Sequence, residues 1–343
     1  MPIRSLSRFL LSGAVLIPVT AWCQIRWSPD GSQLVFSKKG HDRTQICAIN
    51  KDGSQFTRLT SDDTDNFEPS FSPNGQKIIF ISQATGNAPR QVYTMNKDGS
   101  NPINLTKSLV NEFDPRWSPK GDKIAIHSDR DGTAQIYLMD TDGTNPMRMT
   151  DLAFNNSFPM WSPDGSQIIC KTVRVPNFVL TLIDLKTKAL QPLDLQPGFA
   201  CTVDGFSSGG DHFLYHCFDA RDAYTVENTT SIYLYDLHKN ESTIIKTRIE
   251  RCRDVRLAND STVIYISDYN LYSLNMATGK VKKIHKDVMS AEVSPDKQSI
   301  AVFNVEESDV GRFRMNVEGY KFGIMRLDGS DYHQYDLSII KNK

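Results

Sequence analysis

The 343-residue sequence has almost no net charge, with 39 Lys and Arg against 40 Asp and Glu. Without a basic excess it lacks the electrostatic footprint of a nucleic-acid binder. Beyond the N-terminus no run of 18 or more apolar residues occurs, which excludes a membrane-spanning helix in the body of the chain. The six cysteines, Cys23, Cys47, Cys170, Cys201, Cys217 and Cys252, contain no Cys-x-x-Cys pair. A zinc ribbon or a thioredoxin-type centre is therefore not expected. The one Gly-x-Ser-x-Gly string, Gly205-Phe206-Ser207-Ser208-Gly209, falls in a worn copy of the repeat turn and not at a strand-to-helix elbow, so an α/β-hydrolase peptidase is not expected. No glycine-rich phosphate loop follows a strand and opens a helix. Of the seven histidines only His212 and His216 fall close together, at strand spacing, and they read as ordinary strand residues.

What is present begins with a leader. Arg4 and Arg8 precede an apolar run from Phe9 to Val19, and small residues follow. This is the layout of a secretory signal peptide, here residues 1–23, with cleavage after Ala21 or Cys23. The alternative is a lipoprotein anchored at Cys23, although Trp22 is bulky for the position before a lipidated cysteine. The expected location is periplasmic or secreted, where disulfides are permitted. Residues 24–343 then form a single domain.

That domain is repetitive. Ser-Pro-x-Gly recurs at Ser28, Ser72, Ser118 and Ser162, and worn copies follow at Ser207, Leu257 and Ser294. Proline presets φ at the second turn position, and Asp or Asn and then Gly suit the third and fourth. An aromatic or apolar residue precedes each turn (Trp27, Phe71, Trp117, Trp161, Phe206, Val293) and a β-rich run follows. A second hairpin, turning at Asp-Gly or Thr-Gly in most copies, completes each unit. Four antiparallel strands, A to D, in about 45 residues are the signature of a β-propeller blade. The 320 residues from Gln24 onward accommodate seven blades of about 46 residues, with six blades as the alternative. The register opens on strand A and closes on strand D, so no terminal strand is left to stitch the ring. Closure is expected to rest on side-chain packing between first and last blades. Cys201 and Cys252, near the starts of adjacent A strands, are the candidate disulfide.

Phe113-Asp114-Pro115-Arg116-Trp117-Ser118, then Ser128-x-Arg130-x-Gly132-x-x-Gln135-Ile136-Tyr137 and Asp142-Gly143, resembles the repeat of the TolB propeller. The first four repeats carry the resemblance well, and the later three match it in outline. Similar repeats occur in prolyl-oligopeptidase-type peptidases and in oligogalacturonate lyase, so the motif specifies fold more than function. TolB proteins are periplasmic components of the Tol-Pal envelope system and bind a protein partner at the propeller mouth. The resemblance covers the propeller part only, without the α/β domain that precedes it in TolB. It implies a scaffold that binds a protein partner in the cell envelope.

The A–B and C–D turns are short and uniform, whereas the B–C and D–A connections vary and include the long segments 218–230 and 305–320. Variable loops on a rigid scaffold are where binding sits. The D–A connections supply Asp65, Asn66 and Glu68, then Asn111, Glu112 and Asp114, then Asn155 and Asn156. Because these lead into the innermost strands, they are the expected ligand-binding or partner-binding residues at the channel mouth. No catalytic residue, metal ligand or cofactor is assigned, although carboxylates here could accept a divalent cation. The chain is expected to be a monomer. The alternative is a metal-dependent lyase or a hydrolase that acts on a glycan through this acidic mouth.

Overall fold

A computed structural model describes residues 25–336 apart from 41–42, 62, 152, 175–176, 194, 196–199, 219–228 and 305–320. The expected leader, Cys23, and most of the two long B–C loops lie outside these residues. The described residues form twenty-eight strands in seven four-stranded antiparallel sheets, each made of four consecutive strands. The fold is a seven-bladed β-propeller. Its blades span residues 25–58, 65–104, 112–148, 155–192, 200–250, 252–285 and 288–336.

The repeat motif is legible in the contacts. The turn serine caps its own hairpin: Ser28 Oγ donates to Asp30 and accepts from the Gln33 N–H. Ser72 and Ser162 do the same with Asn74 and Asp164. Where Lys120 takes the acidic place, Ser118 uses Asp122 instead. The turn glycine has positive φ and receives the proline of the neighbouring blade. A Cβ on Gly121 would lie 3.4 Å from Pro73, and one on Gly165 3.5 Å from Pro119. Such contacts occur at five of the seven junctions, including Gly31 against Pro295 across the junction of blades seven and one; blade six has neither residue.

The core is divided into seven apolar clusters, one between each pair of neighbouring blades. This follows from strands whose alternating side chains are buried on both faces. The cluster joining blades one and seven contains Ile25, Trp27, Leu34 and Phe36 against Ala301, Phe303, Phe322 and Ile324. Among the described residues no strand crosses this junction, and side-chain packing closes it.

The disulfide differs from expectation. Cys201 is bonded to Cys217, not to Cys252. Cys201 and Cys217 face each other on strands A and B of blade five (Ala200–Phe206 and His212–Phe218). Directly opposed residues of an antiparallel pair bring their Cα atoms within disulfide reach. Neighbouring A strands are held apart by the apolar layer between blades, and Cys252 is buried in the layer between blades five and six.

Candidate functional site

Each blade's strand A lines the central channel, and six of the seven carry a register shift there. Such bulges re-aim side chains. Glu68, Asp114, Phe158 and Asp254 occupy these irregular positions with φ near +50°.

The expected site residues fall into three sets. Asp65, Asn111 and Asn155 occupy one position and make one contact. Each accepts a backbone N–H from the preceding blade, from Thr44 at 2.7 Å, Arg90 at 3.0 Å and Ala134 at 3.1 Å respectively. Asp65 also pairs with Arg43. Asn66 and Asn156 are buried, and each donates to the glutamine of the preceding blade, Gln45 or Gln135. The same glutamine oxygens accept from Thr60 and Thr150, so Thr, Gln and Asn form a buried network between blades. Glu112 holds the asparagine's slot in blade three; its carboxylate meets Arg130 at 3.1 Å and burial raises its pKa. Glu68 and Asp114 form the third set, on the channel side. Burial first, and the Asp114 charge second, push Glu68 up to about 7. Asp114 lies 3.2 Å from His127 Nδ1. Burial alone would lower the His127 pKa, but hydrogen bonds to Asp114 and Asp129 overcome it and raise it to about 9.

None of these residues lines the channel's cavity, which has a volume of about 630 Å³. Its charged wall was not singled out by sequence. In blade six Leu257 does not take the turn serine's slot: it pairs with Val263 as Trp27 pairs with Leu34, and so holds the pre-turn place. The residue just before the pre-turn residue lines the cavity in six blades: Arg26, Ser70, Arg116, Met160, Arg256 and Glu292. The signal was present in the repeat, but strand alternation alone does not tell the channel side from the blade interface. Arg26 and Arg256 converge on Glu292, at 2.9 and 3.4 Å, and Arg256 also meets Asp254 at 2.6 Å. Asp254 accepts from Ser290 Oγ and the Ala291 N–H. This chain of charges links blades six, seven and one. In blade five Asp204 holds His216 Nδ1 at 2.8 Å. His212 points elsewhere, toward Asp236, so the two histidines do not meet.

The cavity wall thus carries four cations, Arg26, Arg116, Lys171 and Arg256, and three carboxylates, Asp204, Asp254 and Glu292. Phe158 and Phe218 add partly exposed aromatic surface. Among the described residues no three His, Cys, Asp or Glu side chains are grouped to hold a metal ion, and no helix is long and apolar enough to cross a membrane.

Seven four-stranded blades with TolB-like repeats around a charged channel define the class. The pattern of the family described as Tricorn protease N-terminal beta propeller domain matches residues 89–306, well over half of the chain, and the chain belongs to that family. The TolB beta propeller domain pattern matches residues 22–102. No curated protein matches. Among solved structures, TolB from Acinetobacter baumannii is 16% identical with a TM-score of 0.56, over 88% of this chain and 78% of that one. Oligogalacturonate lyase in complex with manganese is 13% identical with a TM-score of 0.67, over 82% and 85%. The β-propeller domain of the Trilobed protease from Pyrococcus furiosus, described as having an open velcro topology, is 14% identical with a TM-score of 0.64, over 94% and 99%. At such identities these likenesses establish fold alone.

Proposed function

We propose that this chain is an exported, non-catalytic propeller that binds a protein partner in the cell envelope. The binding surface is the face of B–C and D–A connections together with the channel mouth. The carrying observation is the distribution of exposed apolar surface. Leu109 is 95% exposed in one D–A connection, Phe154 is exposed in the next, and Phe218 ends a B strand beside the cavity. Ile103, Met147, Leu190 and Ile244 are also exposed, on outer strands, but Leu109, Phe154 and Phe218 lie where the connections vary, which is where a docking surface is built. The leader with Arg4, Arg8 and the run Phe9–Val19 supports export.

The test is capture from an envelope extract with the wild-type chain and with Leu109→Asp/Phe218→Asp. A protein retained by the wild type and lost from the variant is the expected result. A second reading, a glycan-active enzyme, draws on the fold likeness to oligogalacturonate lyase and on His216, whose Asp204 contact leaves its ring at the cavity wall. Turnover of an acidic glycan without any captured protein would favour it.

A further inference from the structure

We infer that the cavity receives acidic side chains of a peptide segment, held by Arg116 and Lys171. This rests on the protein-binding reading above and names its chemistry. The inference comes from the pairing pattern in the cavity wall. Each of the three wall carboxylates already has a partner: Glu292 with Arg26 and Arg256, Asp254 with Arg256, Asp204 with His216. Among the described residues neither Arg116 nor Lys171 has a carboxylate within ion-pair distance, and neither side chain makes a hydrogen bond. Both line the same cavity.

Lys171 stands on strand B of blade four (Gln167–Arg174), with its ammonium 4.3 Å from the Phe178 ring centroid. Burial lowers its pKa and nothing on the wall offsets this. A half-buried cation without a counter-charge is costly, and an incoming carboxylate removes that cost. Phe158 and Phe218 flank the same space and supply apolar contact. A segment alternating acidic and aromatic or aliphatic side chains matches both features: carboxylates for the two cations, apolar groups for the walls and for Leu109 and Phe154 on the face above.

The probe is a fluorescein-labelled decapeptide of alternating Glu and Phe, and its counterpart with Gln for Glu, followed by anisotropy. The wild type is expected to bind the Glu peptide at least about tenfold more tightly, since charge-assisted hydrogen bonds exceed neutral ones by that order. Arg116→Gln/Lys171→Gln should abolish the preference, and Arg116→Lys/Lys171→Arg should keep much of it. Neither cation makes an ion pair, and each has only one favourable contact to lose, Lys171 with the Phe178 ring and Arg116 with the charge of Glu68, so neutralising them should move the thermal midpoint little, which checks folding. Equal binding of the two peptides, or a preference that survives the double Gln variant, overturns the inference. Binding of trigalacturonate with no binding of the Glu peptide overturns it in favour of a uronic-acid glycan. An envelope protein captured equally by wild type and double Gln variant overturns this inference while the protein-binding reading stands. Failure to capture any protein, with the peptide preference intact, does the reverse.

Discussion

At the scale of single residues, the repeat's polar letters are mainly joints. Gln135 is fully buried and accepts from both Thr150 and Asn156. Removing it strands the buried Thr150 hydroxyl, while Asn156 keeps only the carbonyls of Phe154 and Asp151, and it leaves a cavity. Gln135→Ala should cost about 2–4 kcal/mol in denaturant unfolding, whereas Asn155→Ala at the more exposed neighbouring position should cost about 1 kcal/mol or less. Glu68 makes a different prediction. Its pKa is raised from 4.5 to about 7 in the folded chain. The folded state therefore binds more protons than the unfolded one between those values, and stability falls as pH rises through that window. Subtracting the unfolding free energy of Glu68→Gln from that of the wild type should give a difference that declines from pH 4.5 to 7 and is flat above. Its span should be on the order of 1–2 kcal/mol after allowance for solvent screening in the channel. A difference that is flat throughout would remove Glu68 as the titrating group.

At the scale of elements, blade five is pinned by the Cys201–Cys217 bond, which spans a sequence separation of 16. A loop of that size corresponds to roughly 3 kcal/mol of stabilisation in the chain-entropy picture. Reductant, or Cys217→Ser, should lower stability by about that amount, and Cys252→Ser should leave the bond intact in non-reducing peptide maps. Strand order, turn chemistry and blade number were legible because each is local: Ser-Pro-x-Gly, Asp-Gly and period-two alternation act within a few residues. The disulfide was not, because it depends on cross-strand register between Cys201 and Cys217, which a worn Ser207-Ser208-Gly209 turn does not announce. The role of Asp65, Asn111 and Asn155 was half legible. Their place at the head of strand A could be read, but their hydrogen bonds reach back 21 residues to another blade. Arg26, Arg116 and Arg256 were not legible as a set, because strand alternation alone does not tell the channel side from the blade interface.

At the scale of the whole molecule, closure rests on the apolar layer between blades one and seven and on the charge chain Arg26–Glu292–Arg256. Glu292→Gln leaves two partly buried guanidiniums without their shared carboxylate and should cost about 1–3 kcal/mol. The loss should appear first as faster amide exchange in blades one and seven, ahead of blades three and four. Uniform acceleration round the ring would mean that the junction is no weaker than the others.

Because no described strand is borrowed across that junction, every blade is the product of one uninterrupted stretch of sequence. Like the other six, the junction between last and first blades is sealed by an apolar layer of side chains. Joining the ends and reopening the chain within residues 151–154 would leave all seven sheets whole, so a circular permutant cut there should still fold. The same property makes the blade a transferable unit of heredity: a duplication or deletion bounded by two such connections changes the circumference of the ring without splitting a sheet.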